Sequence, residues 1–485
     1  MAMRILPVQL SHMKGYPFIS LLLISALAAL TFSCSRSVNP NIERGSDYYF
    51  EDGHPELRIS ALGYLNEEDE AIINIAADVV QGSLIFREQE GANRADIELE
   101  VRVVGIDGTS FSDTYTTQMS VDNRTGSYVT SQEVIRFTHE MTVQPGNYEV
   151  YITVYDQSSE NSTTRVAETY IPDPHDNVVN LTAVQLLGIN LDSEQGYHPV
   201  TTYDVSTSID SLRFVVQVTN NRSEDPLTVN SRLYKFEADS SPARPMSFNN
   251  YTPSSLPYKG IDYSEREVME ETRRVIEQPG SVVIEYRLER PDKGNYRFQV
   301  TTEGADTEEL FKARDFSVKG ENFPAIQTAR ELAEPLIYLM GEGDHKKMME
   351  IENPDSLKEA VDRFWLSNVG SMNQARHVIS MYYERVEEAN KQFTNFKEGW
   401  KTDMGMMYIL FGPPWYVERR LNQMQWSYSY DRSDPRYNYF FERPRGVSEF
   451  FPFNNYLLQR SQGYFNIQYQ QVQRWLSGQI LNRNL

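Results

Sequence analysis

Between about residue 55 and residue 320 the apolar positions recur every second residue. Leu57, Ile59 and Ala61 alternate with polar neighbours. Ile97, Leu99, Val101 and Val103 alternate with Glu98, Glu100 and Arg102, and Tyr148, Val150, Ile152 and Val154 repeat the pattern. A period of two turns one face toward a core and the other toward water, which predicts half-buried β-strands. Farther on, Leu212, Phe214, Val216 and Val218 form one such run, and Val282, Ile284, Tyr286 and Leu288 form another. Turn signals such as Asp107-Gly108 and Pro145-Gly146-Asn147 separate the first set of runs. The stretch Lys293-Gly294-Asn295-Tyr296-Arg-Phe298-Gln-Val300 repeats Pro145-Gly146-Asn147-Tyr148-Glu-Val150-Tyr-Ile152. Short strands at this spacing, with a shared Gly-Asn-Tyr turn, predict two tandem immunoglobulin-like β-sandwiches over 55–174 and 176–320. Ile171 to His175 reads as the linker between them, and Asp239 to Lys259, rich in Ser, Pro and Asn, reads as a long solvated loop. His139 closes a strand pattern, which suits a ladder or surface role better than a ligand role.

The period changes at about residue 324. Ile326, Ala329, Leu332 and Ala333 have helical spacing until Pro335 interrupts them. Asn353-Pro354-Asp355 reads as an N-cap followed by proline at the first helical position, with Leu357, Val361, Phe364 and Trp365 as the apolar stripe. Val378, Met381, Tyr382, Val386, Ala389 and Phe393 recur near 3.6 and predict a long helix over 371–393. Met406 to Phe411, bounded by Asp403, Gly405 and the Gly412-Pro413-Pro414 stop, has the length and limits of a buried strand. Trp426, Tyr428 and Tyr430 predict a second strand, and Tyr437, Tyr439 and Phe441 a third. Val472, Trp475, Leu476 and Ile480 predict a closing helix. Helices followed by strands indicate an α+β domain over 324–485, with helices packed on an antiparallel sheet.

At Gly399, Trp400, Thr402 and Asp403 this last domain resembles the GWxTD-domain family of bacterial envelope proteins. Gly405, Gly412, Pro413 and Pro414 follow in register. Phe364-Trp365, Tyr382-Tyr383-Glu384-Arg385, Ala389-Asn390 and Gln425-Trp426-Ser427-Tyr428 extend the resemblance from about Phe323 onward. The chain departs from the family at Met404, at Trp415 and at Leu366-Ser367-Asn368, each time where a charged residue is usual. The resemblance implies a fold relative and no particular reaction.

Charge and cysteine content narrow the function. A net charge of −22 and an acidic isoelectric point disfavour nucleic acid, whose phosphates require a basic surface. The single cysteine, Cys34, excludes an intramolecular disulfide. It follows an apolar run from Pro17 to Phe32, preceded by Arg4 and Lys14, and Leu30-Thr31-Phe32-Ser33-Cys34 resembles a bacterial lipobox. On this reading residues 1–33 are a signal peptide, Cys34 is the lipidated N-terminus, and 34–54 is a polar tether. By resemblance to lipoproteins of two-membrane bacteria, Ser35 after the cysteine favours the outer membrane.

Two residues of the signature invite a chemical reading. Asp403 beside Trp400 is placed for acid–base work, with Glu384, Glu387 or Glu388 of the preceding helix as its second carboxylate. The alternative has Trp400 in a core and Asp403 bonding local backbone N–H groups in a turn, and it is favoured because a lone carboxylate needs a partner for most acid–base work. Trp415, Trp426 and Tyr428 are candidate binding aromatics for a sugar or a protein partner. His345 and His377 lack metal-ligand spacing, and neither a nucleophile elbow nor a phosphate-binding loop occurs, so no metal or cofactor is expected. The sequence therefore predicts a membrane-anchored envelope protein with a binding or assembly role toward an envelope protein or glycan. A glycan or peptide hydrolase using Asp403 and a helix glutamate is the alternative.

Overall fold

The computed structural model describes residues 37–38, 54–89, 92–123, 133–176, 179–191, 196–221, 226–248, 260–303, 310–421, 423–429, 434, 437–443 and 455–482. The chain forms β-sheet domains followed by a C-terminal region of helices and strands.

The alternating runs become strands with the expected face inward. In the first β-rich unit an antiparallel sheet of Leu57–Leu65, Ala71–Val80 and Val134–Val143 faces a five-stranded sheet built on Ala92–Ile106 and Gly146–Asp156. Ile59, Ile75, Ile97, Leu99, Val101, Val150 and Ile152 share one core between them, as the period of two requires. In the second unit Ser211–Asn220 lies between Gln185–Ile189 and Gly280–Glu289. The opposing sheet contains Leu227–Ala238, Ile261–Ile276, Gly294–Glu303 and Phe311–Val318. Phe214, Val216, Ile284, Tyr296, Phe298 and Phe316 fill its core. The strand expected at Val282 to Leu288 is present, yet only Ile284 of its apolar set is fully buried and Val282 is exposed. The repeated Gly-Asn-Tyr turns share a bond as well as a sequence. Tyr148 and Tyr296 each donate their hydroxyl to the carbonyl four residues upstream, of Gln144 and Asp292. His139 stacks on Tyr115 with ring centroids 4.1 Å apart, in the ladder role expected of it.

The polar run after Cys34 is not wholly a tether. Ser37 and Val38 pair in parallel with Lys312 and Ala313 at the edge of the second unit. Edge pairing uses backbone groups and needs no apolar side chains, so hydropathy carries no trace of it. Cys34 itself lies outside the described residues, as do the signal-peptide run and Tyr430. Among the described residues no helix is long and apolar enough to cross a membrane.

The C-terminal region has six α-helices among its described residues: α1 (Ala329–Ala333), α2 (Glu342–Met349), α3 (Pro354–Val369), α4 (Met372–Phe393), α5 (Asp403–Phe411) and α6 (Tyr464–Leu476). Asn353 caps α3 by accepting from the Ser356 N–H, with Pro354 at the first position. The helical pattern through Pro335 ends α1 after Ala333 and continues as a 3-10 turn over Glu334–Tyr338. A four-stranded antiparallel sheet follows in the order Tyr416–Arg420, Gln423–Ser427, Asn438–Glu442, Leu457–Leu458.

Two expectations are corrected here. Met406 to Phe411 is not a strand. It belongs to α5, whose nine residues are all buried. An uninterrupted apolar run carries no period, and a helix enclosed on every side reads the same as a buried strand. The Thr402 cap before it and the Gly412 C-cap, at φ 83°, mark it as helical. The loop from Asp239 is not a solvated excursion either. Its described part, 239–248, packs on the C-terminal region, and Met246 is completely buried in that region's core.

Candidate functional site

The signature sits where α4 turns back into α5, and each of its residues has a structural task. Gly399 lies so close to α4 that a Cβ there would stand 1.9 Å from the Ala389 carbonyl oxygen, and one on Gly405 would stand 2.0 Å from the Gly399 oxygen. Only glycine fits at either point. Trp400 is buried edge-on to Tyr338, whose hydroxyl donates to the Trp400 carbonyl at 2.7 Å. Burial, with the nearby Asp403 charge added to it, pushes the Tyr338 phenol well above its ordinary pKa, so it stays a donor. Thr402 caps α5: its hydroxyl accepts from the Gly405 N–H at 3.0 Å and donates to the Gly399 carbonyl at 2.7 Å. Asn390 of α4 accepts from the Trp400 N–H at 3.2 Å, and Thr394 accepts from the Gly399 N–H at 2.7 Å.

Asp403 stands at the first turn of α5, where the helix dipole favours an anion. Its carboxylate takes two bonds from the Arg460 guanidinium, both 2.7 Å, and one from the Leu458 N–H at 2.7 Å. Both side chains of the pair are almost entirely buried. The same guanidinium donates to the carbonyls of Arg244 at 3.0 Å and Pro245 at 3.2 Å, so it ties the signature to the loop from the second β-rich unit. The other end of α5 is secured by the closing helix. The Gln471 amide and the Trp475 indole both donate to the Leu410 carbonyl, at 2.6 and 3.0 Å. Arg385 lies 5.1 Å from the Trp475 ring and its guanidinium covers Gly412, whose φ of 83° favours glycine.

A second set of charges joins the signature to the preceding β unit. Glu398, one residue before Gly399, pairs with Lys293 and, at 2.9 Å, with Lys401. Burial alone would raise its pKa, but Lys401, Lys293 and Lys319 outweigh that and hold it well below the usual carboxylate range. Lys319 is buried, donates to the Asn395 carbonyl at 2.8 Å and lies 3.5 Å from Asp204. Burial lowers the pKa of Lys319 and raises that of Asp204, each shift partly offset by the other's charge. Asn295 completes the junction by donating to the Phe396 carbonyl at 3.0 Å.

Asp403 and the helix glutamates expected to pair with it each have separate partners. Asp403 meets Arg460. Glu384 is exposed and accepts from the Ser380 hydroxyl, Glu387 accepts from the Ile326 N–H at 3.0 Å, and Glu388 accepts from Gln392 at 3.0 Å. The turn reading of Asp403 is corrected as well, since its partners lie 55 and 57 residues away. Of the candidate binding aromatics, Trp426 and Tyr428 are buried in the domain core and offer no face to a ligand. Trp415 is 44% exposed, next to the equally open Tyr416. His345 is buried and bonded through Nε2 to the Ala333 and Glu334 carbonyls. Among the described residues no group of three His, Cys, Asp or Glu is arranged to hold a metal. Arg460, Glu398, Lys319 and Met246 carry much of this site's geometry, and sequence reasoning missed their roles because, Lys401 beside Glu398 apart, their partners are remote in the chain.

Residues 294–477 match the GWxTD domain family. The match starts at the Gly-Asn-Tyr turn, some thirty residues before the boundary expected from sequence, and so takes in the last two strands of the second β-rich unit. The first of these strands presents Asn295 to the loop before the signature, and Lys319 follows directly on the second, which gives the extension a physical basis. No curated protein matches the chain. Among solved structures, red sea bream transglutaminase is similar at 10% identity and TM-score 0.19, over 63% of this chain and 34% of that one. Dimeric latent PorU from Porphyromonas gingivalis is similar at 14% and 0.24, over 56% and 21%. Escherichia coli alpha-2-macroglobulin activated by porcine elastase is similar at 9% and 0.17, over 70% and 35%. The chain thus spans about a third or less of each of these proteins.

Proposed function

We propose that the chain is a lipid-anchored cell-envelope protein that binds a protein partner through its C-terminal domain and catalyses no reaction at its signature. The observation that carries this reading is the division of labour among the signature residues and their neighbours. The polar groups of Thr402 and Asp403 are engaged in internal bonds, while the adjoining hairpin exposes Trp415, Tyr416 and Leu421. Open aromatic side chains beside an edge strand suit a protein interface, where Trp and Tyr contribute most of the binding energy. The apolar run and lipobox-like residues ending at Cys34 support anchoring, and Ser35 supports the outer membrane. The immunoglobulin-like type proposed for both β-rich units draws support from the matched tyrosine-to-carbonyl bonds of Tyr148 and Tyr296, a device of that architecture.

Full-length lipidated protein, purified from native membranes, tests the reading. A defined protein partner should co-purify with the wild type and be lost with Trp415→Ala at an unchanged melting temperature. Labelled fatty acid should enter the wild type and not Cys34→Ser. Degradation of envelope glycan or peptide that depends on Asp403, with partner recovery indifferent to Trp415, would overturn it.

A further inference from the structure

The second β-rich unit carries a long strand at the edge of a sheet. Among the described residues Ile261–Ile276 pairs only with Leu227–Ala238, so its other side offers backbone N–H and C=O groups to a further strand. Every residue from Ser264 to Val275 is exposed, on both faces, and Val268, Met269 and Val275 are open apolar side chains. A bulge at Met269 interrupts the ladder, which then runs unbroken from Glu270 to Ile276. Edge strands of this kind are normally guarded by charge. Here the charges form a pattern. Glu270-Glu271-Thr272-Arg273-Arg274 inverts its sign about Thr272. Glu271 is held by Arg232 at 2.7 Å, and the Arg274 guanidinium lies 5.4 Å from the Tyr286 ring. Glu270 and Arg273 have no side-chain partner among the described residues.

We propose that this edge pairs with the same edge of a second copy of the chain, antiparallel about a two-fold axis through Thr272. In that register Glu270 stands opposite Arg274 of the other copy and Glu271 opposite its Arg273, and the symmetry forms each pair twice. Met269 comes opposite Val275, so exposed apolar side chains cover one another. Glu271 keeps Arg232 and gains a second cation. Moving the axis by one residue, onto Glu271 or Arg273, sets like charges against each other, and so does an in-register parallel pairing. The charge pattern therefore selects one arrangement. The segment 270–274 is neutral in a chain whose net charge is −22, which makes it a place where two such acidic chains can meet. A foreign strand without the inverted pattern meets uncompensated charge, so the same edge that admits its own copy turns others away. The pairing uses no residue of the Trp415 hairpin and does not depend on the partner-binding reading.

Analytical ultracentrifugation of the full chain in detergent tests the proposal, and the wild type should sediment as a concentration-dependent dimer. Glu270→Arg and Arg274→Glu, both at exposed positions, should each raise the dissociation constant at least tenfold, because each turns the paired contacts into like-charge contacts. An equimolar mixture of the two variants should recover the dimer, since each supplies the charge the other lacks, and that recovery also shows both to be folded. Trp415→Ala should leave the dimer unchanged. Directly opposed strand residues lie about 4.5–5.5 Å apart between Cα atoms, within reach of a disulfide. Mild oxidation of native membranes should therefore link Thr272→Cys to its own copy. Glu265→Cys, displaced along the strand, and the wild type, with Cys34 alone, should stay unlinked. A monomer at every concentration, a dimer indifferent to both charge reversals, no recovery on mixing, or linkage of Thr272→Cys to a different protein would each overturn the proposal.

Discussion

Asp403 shows how a conspicuous residue is misjudged when its neighbours in space are hidden. A carboxylate next to a tryptophan invites an acid–base reading, but its two oxygens are taken by Arg460 and the Leu458 N–H. Breaking a buried pair leaves one charge without compensation, at a cost of about 3–5 kcal/mol. Asp403→Asn and Arg460→Met should each lower stability by about that much, while the double variant should lose clearly less than the sum. Chemical denaturation of the four proteins reads the coupling, and strictly additive losses would show that the pair does not act as a unit. Glu398 differs in having a half-exposed partner, Lys293, so Glu398→Gln should cost on the order of 2–3 kcal/mol. The pH dependence has a definite sign. A carboxylate with a depressed folded-state pKa stabilises fully above its unfolded value of about 4.3. That advantage is lost as pH falls through the folded value, so wild type and Glu398→Gln should converge in melting temperature only in strong acid. The residue types at the site were legible in the sequence, and the core role of Trp400 was too. The pairings were not, because Arg460 is 57 residues from Asp403 and Lys293 is 105 from Glu398.

At the scale of elements, legibility follows periodicity. Strands with one wet face announce themselves, as Ile97 to Val103 and Tyr148 to Val154 do, and so does the half-buried α4. Helix α5 is wet on no side, so its hydrophobic pattern is silent and its ends must identify it. Thr402 is the informative end. Its hydroxyl satisfies the Gly405 N–H and is itself buried, so no water replaces it. Thr402→Ala should therefore cost about 1–2 kcal/mol, and Thr402→Ser should restore most of it. Thermal unfolding of the two variants distinguishes a cap from a packing role, because serine returns the hydroxyl without the methyl group. Equal losses in both would assign the stabilisation to the methyl.

For the whole molecule, the unit that folds around the signature is larger than the helices and strands that follow Pro324. The loop at 239–248 places Met246 in the core of the C-terminal domain and offers the Arg244 and Pro245 carbonyls to Arg460. The edge of the second β-rich unit adds Asn295 and Lys319. A fragment starting at residue 324 loses all of these, which uncovers the pocket of Met246 and leaves the Asn395 and Phe396 carbonyls without their donors. The full chain should unfold with the second β-rich unit and the C-terminal domain in one transition. The fragment 324–485 should resist proteolysis far less than the same residues in the intact protein. Met246→Ala places a cavity in one domain by truncating a residue that belongs to another, and should cost about 2–5 kcal/mol. If calorimetry instead gave two separate transitions, with Met246→Ala moving neither, the loop would be a surface contact and the two domains would be energetically independent.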